Sequence, residues 1–337
     1  MDNQNHVGGS DSVTYFDPDE FQSAVRGGDA MYNVLSRGKY RAELTTIKVG
    51  QLMLQRGKEA LPRISSTSLP PSMIALCGWF GDGQPPVVRG AQMQRGEFIC
   101  LGPRMQSHHR TFGNNDFAAL TVDVTDLTNA AMDLTGRELA VPAGKVIQPP
   151  PHLGVWLLSV IDAATRASMA TPDIFQSPPA ARALEQALLR PMIGCLMDGC
   201  ARSEGVPRGH RATVAKRFEA AVEANLEHPL LISDLCRMVA ITARSLNSLC
   251  QEQLGMSAQR FLALRRLHMA RRALTRSDSS SATVTEIAMS YGIWELGRFA
   301  VAYKALFGES PSTTLRRPPA SCQPELYFPR TAPAEAA

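Results

Sequence analysis

No run in the chain approaches the ~20 consecutive apolar residues that a helix needs to cross a bilayer. The opening "MDNQNHVGGSDSVTYFDPDE" is polar and acidic, without the basic and apolar segments of a secretory leader. These absences predict a cytoplasmic protein. The seven cysteines, Cys77, Cys100, Cys195, Cys200, Cys236, Cys250 and Cys322, are odd in number and scattered, and no C-x-x-C occurs. That fits reduced thiols better than a disulfide framework or a zinc site. Also missing are a G-x-S-x-G elbow, a P-loop and a dinucleotide fingerprint, so the catalytic classes built on those motifs find no support. What is present is ordinary globular material. The 337 residues are 44% hydrophobic and 20% charged, enough for two domains.

Charge is unevenly divided. Between Arg211 and Arg317 there are 15 Lys and Arg against 9 Asp and Glu, a balance of +6. The remainder carries 20 against 22. A basic, ordered domain beside a mildly acidic one suggests a polyanion partner for the first; a basic surface without meaning is the plain alternative.

Texture changes along the chain. Residues 1–14 lack periodicity and read as disordered. Residues 15–202 form one domain. Its first part holds short alternating or apolar runs, "AELTTIKVGQLMLQRG", "SMIALCGWF" and "NDFAALTVDV", separated by Gly and Pro, as in a mainly β domain. "VVRGAQMQRGEFICLGP" reads as two more strands around Arg95-Gly96. From about residue 153 the spacing turns helical. Ser177 and Pro178 are placed to cap and start a helix whose stripe of Leu184, Leu188, Ile193, Leu196 and Met197 is either core or a dimer seam. Residues 203–212 read as a linker, 213–317 as a helical domain and 318–337 as a disordered tail.

The helical domain repeats one grammar. In "LISDLCRMVAITARSLNSLCQEQLGMS" a short helix meets a turn at Ala240-Ile241, and a second helix opens on Thr242 and stops at Gly255. In "ATVTEIAMSYGIWELGRFAVAYKALFGESP" Thr283 and Glu286 form a capping box, Gly292 makes the turn, and a second helix runs to Gly308. The long helix "SAQRFLALRRLHMARRALTR" lies between the units. Helix, tight turn, helix is the layout that places a second helix in a DNA major groove. That second helix is unusual in the second unit. Phe299, Tyr303 and Leu306 form a buried-type stripe, whereas the opposite face holds Arg298 among Gly297, Val301 and Ala305, almost without side chains.

These residues, with "RRLHMARRAL", "TVTEIAMSYGI" and "GRFAVAYKALFGESPSTTLRR", resemble the DNA-binding domain of the AraC/XylS family of bacterial transcription regulators over about a third of the chain. Ile293, Ala240 and Cys250 depart from the family pattern, which has Phe, Gly and Phe at those places. The resemblance implies an α+β protein: a β-rich cupin-like barrel with dimerisation-type helices, then two helix-turn-helix units joined by a long linker helix. It implies double-stranded DNA and RNA polymerase as partners, a small effector, a homodimer, no membrane and no cofactor, and an activator rather than a repressor. Its groove-facing positions fall on Gly297, Arg298 and Val301 in the second unit and on Arg244, Asn247 and Ser248 in the first. Arg298 and Arg244 suit guanine and Asn247 suits adenine. Arg265, Arg271, Arg272 and Lys304 are either phosphate contacts or structural partners.

The N-terminal domain has no motif of similar specificity. His108, His109 and His152 hint at a metal, yet adjacent strand residues point to opposite faces, so no metal site is expected. Arg95, Arg104 and Arg110 are either anion-binding or ordinary surface arginines, and Trp79 and Phe80 either line a pocket or fill the core. Two alternatives to a sequence-specific regulator stand beside it: a cupin-like metal enzyme with a helical interaction domain, and a non-specific nucleic-acid binder.

Overall fold

The structure, a computed structural model, describes residues 8–26, 29–202, 209–225 and 228–317. The chain runs β1 (Gly9–Tyr15), α1 (Pro18–Ala24), β2 (Asp29–Val34), β3 (Ala42–Val49), β4 (Leu52–Glu59), β5 (Arg63–Ser68) and β6 (Met73–Trp79). It continues through β7 (Val87–Val88), β8 (Ala91–Gln92), β9 (Phe98–Leu101), β10 (Gln106–Arg110), β11 (Asn115–Asp123), α2 (Val124–Thr135) and β12 (Val146–Gln148). Helices α3 (Pro151–Ala170) and α4 (Pro178–Asp198) and the short β13 (Cys200–Ala201) complete the first domain. The second holds α5 (His210–Glu223), α6 (Ile232–Val239), α7 (Ala243–Leu254), α8 (Ala258–Arg276), α9 (Val284–Ser290), α10 (Leu296–Phe307) and α11 (Pro311–Leu315).

The strands form two antiparallel sheets, one ordered β1-β3-β4-β11-β6-β9-β12-β13 and one ordered β2-β5-β10-β7-β8. Among the described residues no strand pairing closes them into a barrel, so the expected cupin-like barrel finds no support in the pairing. Alternation explains the layering. On one face of the larger sheet, Leu54, Leu76 and Leu120 pack against Leu157 and Ile161 of α3 and Leu188 and Ile193 of α4. On its other face, Ala75, Ile99 and Leu101 meet Leu69 and Val88 of the smaller sheet. Helices therefore cover a face that a barrel would leave outside.

Several expectations change in detail. Residues 9–14, expected to be disordered, belong to β1, which pairs antiparallel with β3 along its length. Residues 1–7 and 318–337 lie outside the described residues, as does most of the expected linker, whose end already belongs to α5. "AELTTIKVGQLMLQRG" folds back on itself as the β3–β4 hairpin. Val49 pairs with Leu52, and Gly50 (φ +55) opens the two-residue loop, as tight hairpins favour. A second hairpin turns at Arg89-Gly90, both at positive φ, so "VVRGAQMQRGEFICLGP" holds three short strands rather than two. Ser177 stands at the N-cap of α4 without a side-chain bond there. The apolar stripe of α4 is core: Leu184, Leu188, Ile193 and Leu196 are buried and Met197 packs beside them. Helix α3 is long and apolar enough by composition to cross a membrane, and it carries Leu157, Ile161 and Ala164 into that same core.

The outer face of the smaller sheet carries the helical domain. Ile64 of β5 is buried among Phe218, Leu246, Leu254 and Phe261. Arg271 pairs with Asp17 at 2.5 Å and Arg272 with Asp19 at 2.9 Å. Arg272 Nη2 also donates to the Tyr32 carbonyl at 2.7 Å. The Val34 carbonyl accepts from His268 Nε2 at 3.1 Å, and the ring of Phe307 meets His268 edge-on at 5.0 Å. At the other end of the seam, His108 lies 5.7 Å from the Phe218 ring, and Glu219 sits 3.7 Å from Arg89.

The seam titrates. Burial holds His108 down to about 4 and His268 to about 3 from the ordinary 6.5, so both are neutral when docked. Their stabilisation is present above pH 6.5 and is lost as pH falls toward those values. Glu219 is pushed up by burial from 4.5 to about 7, so its contribution has the opposite sign and is lost as pH rises through about 7. Two histidines outweigh one carboxylate, and net stability falls on acidification below pH 6.5. Glu219→Gln is expected to raise the melting temperature at neutral pH and to steepen the loss between pH 6.5 and 4.5. Parallel melting profiles for variant and parent would rule this out.

Candidate nucleic-acid interface

Each helix-turn-helix unit is set by its caps. Thr242 Oγ1 accepts from the Ser245 amide at 3.2 Å to start α7, and Gly255, at φ +65, ends it. In the second unit the Thr283 amide donates to Glu286 Oε2 at 2.9 Å, and the Glu286 amide donates back to Thr283 Oγ1 at 3.2 Å. Gly292 turns the chain at φ +70 and Gly308 stops α10 at φ +81. Ala240 makes the corresponding turn in the first unit at φ 58, ψ 48, a left-handed conformation that costs a side chain about 1–2 kcal/mol. Its methyl is exposed, so removing it forfeits no packing. After allowing for the freer unfolded chain, Ala240→Gly is expected to stabilise by about 0.5–1 kcal/mol in urea unfolding. An unchanged or lower midpoint would contradict the strain.

The second helices are two-sided. Leu246, Leu249 and Cys250 turn inward from α7, while Arg244, Asn247 and Ser248 are exposed. Phe299 and Tyr303 turn inward from α10, where Tyr303 and Thr314 share a hydroxyl hydrogen bond of 2.8 Å. Gly297, Arg298, Val301 and Lys304 are exposed, and Val301 is 72% accessible. Arg298 pairs with Glu295 at 2.7 Å on the open surface, a contact worth less than about 1 kcal/mol that base edges could replace. Asn247 has a second duty. Its Oδ1 accepts from the Ala258 amide at 3.2 Å and so ties α7 to the start of α8.

Of the four cations with open roles, three are structural in this arrangement. Arg265 is 2% exposed and donates to the Val222, Asn225 and His228 carbonyls. Arg271 and Arg272 lie in the seam described above. Lys304 remains exposed. Patterning alone does not single out Trp294, which is 72% exposed immediately before α10; an indole in a polar turn was the available signal.

The N-terminal candidates are dispersed. His108 faces Phe218 and Glu219, and His152 is exposed at the start of α3. No group of three potential metal ligands occurs among the described residues. Trp79 is 6% exposed, and Phe80 packs on the main core under Arg56. Arg95 pairs with Asp82 at 3.1 Å on the surface, Arg104 is exposed, and Arg110 reaches the domain seam beside Gly255.

Residues 235–317 match the model of a helix-turn-helix domain. The chain is 36% identical over 151 residues to a probable thc operon regulatory protein of Rhodococcus erythropolis, covering 42% of this chain and 45% of that one. It is 34% identical over 115 residues to a XylDLEGF operon transcriptional activator of Pseudomonas putida, covering 34% and 33%. A solved structure of a probable AraC family transcriptional regulator from Rhodopseudomonas palustris is 34% identical over 31% of this chain and 98% of that chain, with a TM-score of 0.28. The C-terminal domain is a helix-turn-helix domain of the AraC/XylS type. The chain spans less than half the length of the two curated relatives. The AraC/XylS match accounts for the second domain and leaves the β-rich domain to be argued from its own residues.

Proposed function

We infer that the protein is a sequence-specific DNA-binding regulator that activates transcription. The observation that carries this is the two-sidedness of α7 and α10: each spends one face on its core and offers solvent a face of arginine, amide, hydroxyl and very small residues. On this reading α7 and α10 enter successive major grooves. Arg244, Asn247, Ser248, Gly297, Arg298 and Val301 meet base edges, and Lys304 neutralises phosphate. The β-rich domain senses a small effector or forms a homodimer, and DNA-bound protein recruits RNA polymerase. Activation is supported by the relative that bears that name. The matched relatives are operon regulators rather than enzymes, which removes the ground for the enzyme alternative.

Selection of genomic fragments by the full-length protein at near-physiological salt tests the proposal. The expected result is a few enriched sites sharing two base blocks about one helical turn apart. Binding without sequence preference but with steep salt dependence would leave a non-specific binder. On a selected site, Arg298→Ala is expected to cost about 1–3 kcal/mol and to relax preference at one base pair. Equal loss on every sequence would reduce Arg298 to a phosphate contact.

A further inference from the structure

The loop between β2 and β3 carries three cations within five residues, Arg37, Lys39 and Arg41, and all three are exposed. Arg41 pairs with Glu43 at 2.8 Å. Arg37 and Lys39 have no ion-pair partner among the described residues. This is unusual here, because arginines at the nearby seam are paired: Arg271 with Asp17 and Arg272 with Asp19. The loop itself is anchored. Gly38 lies so close to Leu61 that a Cβ there would clash, and Tyr40 is buried with its ring 6.3 Å from that of Phe21. The two free cations are therefore presented from a fixed base.

Their place gives them a partner. A Cβ on Gly308 would stand 3.4 Å from Arg37 Nε. Gly308 ends α10, and steps of four, three and four residues carry the exposed line of Gly297, Val301 and Lys304 to it. Arg37 thus continues that line past the point where the helix stops. The first domain flanks the face without covering it, since Val301 keeps 72% of its accessibility. Ten residues separate Arg298 from Gly308, about 15 Å at helical rise. A recognition helix sets its N-terminal residues on base edges, in a groove about 12 Å wide. The C-terminal end of α10 then stands at the rim of that groove, where the phosphates are. Glu309, next in the chain, is already engaged by Arg317 and Thr314. The first unit offers no equivalent: Arg110 lies against Gly255, but it is half-buried and stacked on Phe112 at 4.6 Å. A plainer role for Arg37 is to offset the partial negative charge at the end of α10, but that role does not account for Lys39.

We propose that the loop of residues 36–41 in the β-rich domain is part of the DNA interface, with Arg37 and Lys39 neutralising phosphates at the rim of the groove that α10 enters. The proposal rests on the regulator reading and extends its interface from the helical domain to the first one. Phosphate contacts carry no base preference, so the loop adds affinity and fixes the position of α10 rather than choosing the site.

Fluorescence anisotropy titrations of the full-length protein across a range of salt, on a selected site and on a random duplex, test it. Arg37→Gln and Lys39→Gln should each make the slope of log K against log salt shallower by about one on both duplexes, and the double variant by about two. The preferred base sequence and the melting temperature should stay those of the parent. Arg182→Gln, which removes an exposed cation of α4, should change nothing. An unchanged slope in the double variant would overturn the proposal. So would a loss confined to the selected site, which would mean base contact. A lower melting temperature for Arg37→Gln with parental slopes in both single variants would reduce Arg37 to a cap on α10 and overturn it as well. Enriched sites in the fragment selection together with unchanged slopes would leave the regulator standing and remove only this loop. No enriched sites, with shallower slopes on the random duplex, would remove the sequence-specific regulator and keep the loop on DNA.

Discussion

Arg265→Ala is expected to lower the stability of the protein by about 3–4 kcal/mol, enough to unfold the helical domain under mild denaturant. Arg265 is almost wholly buried, and its guanidinium is spent on three main-chain carbonyls at Val222, Asn225 and His228. Val222 and Asn225 lie at the C-terminal end of α5, where a helix leaves acceptors for outside donors, and His228 follows in the next connection. Truncation would remove these three bonds and leave a cavity between α8 and the end of α5. Burial already lowers the pKa of Arg265 to about 10, a sign of how much solvation it gives up for these bonds. Arg265→Lys keeps the charge but not the planar fork, and should recover only part of the loss. Urea unfolding checks both. A phosphate contact would behave differently: stability unchanged and the salt dependence of DNA binding shallower by about one.

Replacing Asp17 and Asp19 together by Asn is the second large effect. The pair faces Arg271 and Arg272, whose side chains are 10% and 11% exposed. Removing both carboxylate charges leaves two cations in a seam with little water. Breaking a buried pair costs about 3–5 kcal/mol, and the partial exposure of the aspartates lowers the figure to about 2–4. Asn is chosen because Asp17 also caps α1, its Oδ1 accepting from the Asp19 amide at 2.8 Å, and an amide oxygen can keep that bond. Since the arginines can regain water if the domains part, the loss should appear as undocking before unfolding. Hydrogen exchange should quicken in β2 and α8, while the core of α3, α4 and the larger sheet stays protected. Unchanged exchange along β2 and α8 would show that the apolar seam around Ile64 and Phe307 holds the domains without these charges.

The local grammar of the helical domain was legible because caps and turns are short-range. Thr242, Thr283, Glu286, Gly255, Gly292 and Gly308 act on backbone within a few residues, so their spacing carries the conformation. The departure at Ala240 was legible for the same reason. The β-rich domain was less so. "AELTTIKVGQLMLQRG" shows continuous strand propensity, and only pairing across Gly50-Gln51 reveals a hairpin. The apolar stripe of α4 fitted a core or a seam equally, because an amphipathic face does not say what covers it; the larger sheet covers it.

By itself the sequence determined the two helix-turn-helix units, the side of α7 and α10 that each core claims, and the arginine left on the other. Those follow from helical period and capping, which are local. Only the tertiary structure decided that the strands pair as two sheets, that Arg265, Arg271 and Arg272 serve the fold, and that Arg37 lies against Gly308. Those outcomes join residues 150 or more apart in sequence or depend on which face is buried, and charge type alone cannot say whether an arginine finds a carboxylate, a carbonyl or open solvent.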